Sequence, residues 1–368
     1  MAMRETDHSM YERAPSCSRR ALQTLALVLW MVAIVCPAPA AEAVPVLQRV
    51  ALSGYPFGVY ANHDLAGDLT SITAVVLVFH GLQRDGDAYF EAAETLAKNA
   101  QVDEATTLIV APNFFDEVDE GKRGDLEGLP LWHNTDWMEG DASVKGPKVS
   151  SYSAIDDLLV RLTDRVRAPH LERIVIAGHS GGGQWVDRYA VFNHADRRIM
   201  ALGIDISYVI ANPSSYLYFT PDRPDGTSFV PYSRLTCPDY DHYRYGMEDI
   251  VPYAQDVTGA EAFAAFKGRH VTFLFGTEDT DPNQRVLDKK CGAEAEGATR
   301  YERGHSFWRY EHWLNHGSAG LTHQAFDVIG VGHDQARMLG SECGSALLFQ
   351  VQFRSATTAP CRRVDAPS

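Results

Sequence analysis

Five consecutive residues carry the strongest chemical signal in the chain: Gly178-His179-Ser180-Gly181-Gly182, a G-x-S-x-G sequence. A serine hydroxyl is a weak nucleophile unless a neighbouring imidazole takes its proton during attack. Small flanking residues permit a turn so tight that the hydroxyl is pushed outward, and a helix starting there offers backbone N–H groups to a developing oxyanion. The groups that could complete such a site each follow an apolar run. These are His80-Gly81-Leu82, then Glu278, Asp279 and Asp281, then Gly332-His333-Asp334. His333 would act as general base, and a carboxylate from the middle group would fix the tautomer of its ring. His179, inside the motif, is expected to pack, and Gln184 and Asp187 to serve packing or ion pairing. His305, His312, His316 and His323 lie in a polar stretch and read as surface or lid residues. Asp156 and Asp157 are adjacent on a helix and do not face each other, so they make a poor acid–base pair.

The elements needed to position these groups are legible in the hydrophobic pattern. Ala74–Phe79 is a continuous apolar, β-branched run, as expected of a strand buried on both faces. Similar strands are expected at 106–111, 173–177, 202–211, 271–275 and 326–331. Helical patterns fall at 88–100, 152–166, 184–193, 260–267 and 334–339. Two short alternating segments, 46–52 and 57–60, read as an antiparallel edge hairpin. Buried strands alternating with helices imply an α/β fold with a mostly parallel sheet covered on both faces. Residues 41–368 are expected to form one domain with two irregular insertions, 113–150 and 212–258. The stretch 283–320 reads as polar and mixed. The insertions are rich in large aromatics, and Trp132, Trp137, Tyr216 and Tyr218 are candidate substrate-binding residues on opposite walls of a cleft.

With the motifs in this order, the chain resembles the α/β-hydrolase superfamily, particularly its secreted esterases, lipases and polyester depolymerases. The resemblance spans roughly residues 74–340 and rests on four short stretches. In that family the triad runs serine, acid, histidine along the chain. The matching positions are Ser180, Asp279 in Gly276-Thr277-Glu278-Asp279, and His333. The resemblance further implies backbone N–H groups of Leu82 and Gly181 as the oxyanion hole, and a cap-like insertion at 212–258. It implies hydrolysis of carboxylic esters through an acyl-enzyme without a cofactor, or amide hydrolysis by the same groups. A non-catalytic binding protein is the remaining alternative.

Composition narrows the field. A net charge of −15 with no basic stripe disfavours a nucleic-acid partner. Arg19-Arg20, the apolar run from Ala21 to Cys36 and Pro37-Ala38-Pro39-Ala40-Ala41 read as a cleavable export signal over residues 1–40, with a twin-arginine resemblance at Ser18–Leu22. The run is shorter than the roughly 20 residues of a membrane span, so the mature protein is expected to have none and to be secreted or periplasmic. Cys237, Cys291, Cys343 and Cys361 would remain after cleavage. Their spacing does not suit a metal site, and they suggest two disulfides, Cys237–Cys291 and Cys343–Cys361 being favoured because each joins segments of one region.

Overall fold

The computed structural model describes residues 45–351 and 358–367. The expected export signal lies outside them. Strand β3 (Ala74–Phe79) illustrates why the sheet forms: every side chain is buried, with Val75, Leu77 and Phe79 facing one cluster of the core and Val76 and Val78 the other. A strand whose two faces are both apolar needs a covering layer on each side, and here both layers are helical.

The sheet has nine strands in the order β1-β2-β4-β3-β5-β6-β9-β10-β11. β1 (Gln48–Ala51) and β2 (Pro56–Ala61) form the expected antiparallel edge hairpin, and β2 also pairs antiparallel with β4 (Thr107–Pro112). From β4 the sheet is parallel through β3, β5 (Arg173–His179), β6 (Asp205–Ala211), β9 (His270–Gly276) and β10 (Gln324–Val328). Short β11 (Cys361–Arg363) closes the far edge antiparallel to β10. β7 (Asp222–Asp225) and β8 (Ser228–Pro231) make a separate hairpin within the second insertion.

Helices cover both faces. α1 (Gly86–Asn99) contributes Tyr89, Phe90, Ala93 and Ala97 to one face, joined by Leu348 and Phe349 of the later α9 (Glu342–Phe349). On the other face lie α2 (Ser151–Leu162), α3 (Gly181–Phe192), α4 (Asp196–Ala201), α5 (Gly259–Phe266) and α7 (Arg300–Asn315). Two short helices, α6 (Cys291–Glu294) and α8 (Gln335–Leu339), complete the set, with the Asp334 side chain capping α8. Among the described residues no helix is long and apolar enough to cross a membrane.

Helix α7 was not anticipated within the stretch 283–320, which reads in sequence as polar and mixed. It runs 16 residues and buries Arg300, Arg303 and Glu311 alongside Phe307, Trp308 and Tyr310. Its buried face is therefore partly charged, and no apolar stripe marks it in the sequence. The histidines around it are structural partners. His323 is buried, bonded to Glu311 (2.7 Å) and to the Phe266 carbonyl (3.0 Å), while His305 bonds Asp327 at 2.8 Å.

The two disulfides are Cys237–Cys291 and Cys343–Cys361, with Cα separations of 5.7 and 5.8 Å. The first ties the second insertion to the segment after β9, and the second ties β11 to α9. Closing loops of this size contributes about 2–4 kcal/mol by restricting the unfolded chain. The double variant Cys343→Ser/Cys361→Ser is expected to lose stability by about that amount in urea unfolding. An unchanged midpoint, or a Cys237–Cys343 cross-link in a non-reducing peptide map, would refute this account.

Candidate active site

The turn between β5 and α3 determines everything around it. Ser180 occupies φ 59° and ψ −117°, a conformation that side chains rarely adopt. Its N–H is anchored to the Ala211 carbonyl at 3.0 Å. The neighbouring glycines are required by close approach. A Cβ on Gly178 would strike the Gly182 carbonyl, and one on Gly182 would strike the Phe79 carbonyl. Strand β5, helix α3 and strand β3 thus meet backbone to backbone, and the serine is left at the rim with its hydroxyl outward.

That hydroxyl lies 2.8 Å from Nε2 of His333, on the loop after β10. The other ring nitrogen, Nδ1, is 2.7 Å from Oδ2 of Asp279, on the loop after β9. Of the three acids in that loop, Asp279 alone faces the imidazole: it is buried, whereas Glu278 and Asp281 are exposed, and Asp281 accepts from the Asn283 N–H within its own turn. With Nδ1–H donated to the carboxylate, Nε2 is free to accept the serine proton. Burial holds the His333 pKa below the ordinary histidine value; the Asp279 hydrogen bond opposes this and the nearby Arg300 cation adds to it.

Arg300 is a participant that the sequence reading missed. It is buried, and its Nη1 sits 3.3 Å from Asp279 Oδ1, the oxygen not used by His333. The guanidinium is itself fixed by Ser214 Oγ (2.8 Å), by the Val286 carbonyl (2.9 Å) and by Gln284. A single arginine at the start of an unrecognised helix carries no motif that would have revealed it.

The backbone N–H groups of Leu82 and Gly181 adjoin the serine. A Cβ placed on Gly181 would lie 3.3 Å from the Leu82 nitrogen, so the two peptide groups are close neighbours. Among the described residues neither N–H has a hydrogen-bond acceptor. The Leu82 loop is held by His80, whose Nε2 accepts from the Phe114 N–H at 3.0 Å. Nδ1 must then carry the proton, donated to the Gly81 carbonyl at 2.9 Å. Burial lowers the His80 pKa to about 4, so the ring stays neutral and this tautomer persists.

The four aromatic residues expected on the cleft walls are elsewhere, a correction to the sequence reading. Trp132, Trp137, Tyr216 and Tyr218 are all buried in the core. Trp137 stacks on Phe114 and packs against His80, while Trp132 meets Phe57 and Phe114 edge-on. They form the floor beneath the Leu82 loop and present no surface to a substrate. Tyr216 and Tyr218 pack on Phe307 and Tyr310 of α7. Their segment is drawn inward by buried carboxyls: Asp187 accepts from the Leu217 N–H (3.0 Å) and Glu296 from the Tyr216 N–H (2.9 Å).

The cleft at Ser180 has a volume of about 210 Å³ and is lined by Leu82, Asp85, Tyr89, His179, Val286 and Gln335 as well as His333. His179 is buried with its ring 4.6 Å from that of His333, and neither of its nitrogens has a partner. Burial keeps it neutral, well below the ordinary histidine pKa. Among the described residues no group of three or more His, Cys, Asp or Glu is placed to hold a metal ion.

No family model matches the sequence, and no curated protein matches it. Solved structures do match the fold. One is a poly(3-hydroxybutyrate) depolymerase from Bordetella parapertussis, with a TM-score of 0.59 and 21% identity over 85% of this chain and 92% of that one. Another is poly(aspartic acid) hydrolase-1 from Sphingomonas sp. KT-1, with a TM-score of 0.57 and 20% identity over 83% of this chain and 98% of that one. At these identities the likeness concerns the path of the chain, and together with the parallel sheet, its helical layers and the turn at Ser180 it shows that this protein has the α/β-hydrolase fold.

Proposed function

We propose that the chain is an exported serine hydrolase that cleaves carboxylic esters through an acyl-enzyme on Ser180. The observation that carries this reading is the continuous relay Asp279–His333–Ser180, at 2.7 and 2.8 Å, beside two backbone N–H groups with no acceptor of their own. Relays of this geometry activate a hydroxyl without a metal or organic cofactor. Two solved relatives by fold are named as a hydrolase and a depolymerase, which accords with hydrolytic chemistry. Two disulfides accord with export.

In this reading the Ser180 oxygen attacks the ester carbonyl carbon while its proton passes to His333 Nε2. Negative charge develops on the carbonyl oxygen, which the Leu82 and Gly181 N–H groups receive. As the intermediate collapses, the bond to the alkoxy group breaks and His333 returns the proton to the departing alcohol. Water then attacks the acyl-enzyme by the same route, giving the carboxylic acid and regenerating the serine. Asp279 keeps its charge throughout and stabilises the transient imidazolium. An amide would follow the same steps with an amine leaving, so an aryl ester and its matched anilide separate the two activities.

Ser180→Ala should reduce ester turnover by several powers of ten while leaving the unfolding midpoint nearly unchanged; substantial residual turnover would remove Ser180 from the mechanism. Asp279→Asn favours the wrong imidazole tautomer and is expected to slow turnover by up to about ten-thousandfold, whereas Asp281→Asn should have little effect. A larger loss from Asp281→Asn would transfer the role to that residue. The base must be neutral to accept a proton, and burial lowers the His333 pKa. The value of kcat/KM should therefore rise with pH and reach its plateau through a midpoint below about 6.5. A midpoint above 7, or a flat profile from pH 4 to 9, would contradict a histidine base in this setting.

A further inference from the structure

Beyond Leu82 and Val286, which wall the Ser180 cleft on one side, lies a second, larger groove of about 380 Å³. The two hollows share those two residues and are therefore neighbours. Their charges are opposite. The Ser180 cleft carries Asp85, whose Oδ1 is buried without a partner. The neighbouring groove is lined by Arg244, Arg285, Lys289 and Lys290, with Asp288 as its one acid.

The acid does not cancel the cations. Arg244 holds Asp288 and Glu139, each at 2.5 Å, a group of one cation and two carboxylates that leaves a single negative charge against the three remaining cations. Asp288 also accepts from the Tyr245 hydroxyl at 2.8 Å. Among the described residues no carboxylate pairs with Arg285, Lys289 or Lys290, and all three are exposed. In a chain of net charge −15, three unpaired cations lining the groove next to the Ser180 cleft are a local reversal of sign. Such a wall concentrates anions near the serine and is screened by salt. The wall is also anchored: Arg300 bonds the Val286 carbonyl, and Arg303 bonds the Asp288 carbonyl at 2.9 Å, which pins the strip carrying the cations to helix α7.

We propose that this groove is a subsite for a carboxylate carried by the substrate, so that the preferred esters are anionic. The proposal rests on Ser180 acting as the hydrolytic nucleophile and adds the substrate class. An anionic substituent is attracted by Arg285, Lys289 and Lys290 and repelled from the Asp85 side. That asymmetry fixes which way the ester lies across the serine. Neutral esters are bound by shape alone.

The test uses two matched pairs with the full-length protein. The first pair places the charge on the acyl part: 4-nitrophenyl hexanoate against the 4-nitrophenyl monoester of adipic acid. The second places it on the alcohol part: 4-acetoxybenzamide against 4-acetoxybenzoate. The charged member of at least one pair should show a kcat/KM about tenfold higher at low salt, because three surface ion pairs each contribute modestly. The ratio should approach one in 0.5 M NaCl and in the triple variant Arg285→Gln/Lys289→Gln/Lys290→Gln. Equal rates within both pairs, or a ratio that survives the triple substitution, would overturn the subsite while leaving Ser180-dependent hydrolysis standing. If no ester of either pair is cleaved faster by the wild type than by Ser180→Ala, the functional reading falls, and the subsite with it.

Discussion

Three pieces of backbone approach one another at Ser180 more closely than any side chain would allow. The end of β5, the start of α3 and the end of β3 are in contact through Gly178, Gly182 and the Phe79 carbonyl. The local cost is a serine held at positive φ, of order 1–3 kcal/mol, and it is offset by the buried strands on either side. The parallel order β3-β5-β6 supplies those strands, and the Ala211 carbonyl at the end of β6 receives the serine N–H. The hydroxyl, the Gly181 N–H and the Leu82 loop all take their positions from this one junction. The loops after β9 and β10 then need only reach the same end of the sheet to bring Asp279 and His333 into range.

Beneath that junction the protein uses buried polar groups where an apolar core would be simpler. Glu296 and Asp187 each satisfy one backbone N–H of the second insertion and leave one oxygen without a partner. Burial pushes Glu296 up to about 8 and Asp187 to about 7, so their charges are strongly disfavoured there. Arg188 bonds Ser215 at 2.9 Å in the same region, and Ser215 in turn reaches Gln184 at 3.0 Å. Such groups contribute little net stability but specify a unique path. Here the path is that of residues 214–219, which run inward against α7 and do not arch over the serine.

The strands, the edge hairpin, the helix after the serine and both disulfides were legible because each leaves a periodic or spacing signal. The glycines around Ser180 were legible because close backbone packing demands them, and His333 because a residue just after a buried parallel strand reaches the same end of the sheet as the serine. What could not be read was the direction of aromatic side chains. Trp132 and Tyr216 look the same in sequence whether they line a cleft or fill a core, and only the hydrogen bonds of Phe115, Asp187 and Glu296 to their segments decide the matter. Helix α7 was hidden for a related reason. Its buried positions include arginine and glutamate, whose partners lie outside the helix, at Ser214, Asp279 and His323.

Arg300 has a consequence for how this protein can vary. Its guanidinium joins the carboxylate behind the imidazole to Gln284 and to the peptide of Val286, the strip that forms the wall between the two hollows. The exposed side chains at positions 285, 289 and 290 take no part in these hydrogen bonds. A deletion or insertion in the same strip would displace the Val286 carbonyl, one of the groups that fix the Arg300 guanidinium beside Asp279. Under the proposed function, exchange of side chains along this wall would alter the groove, whereas a change in its length would also move the arginine that holds Asp279.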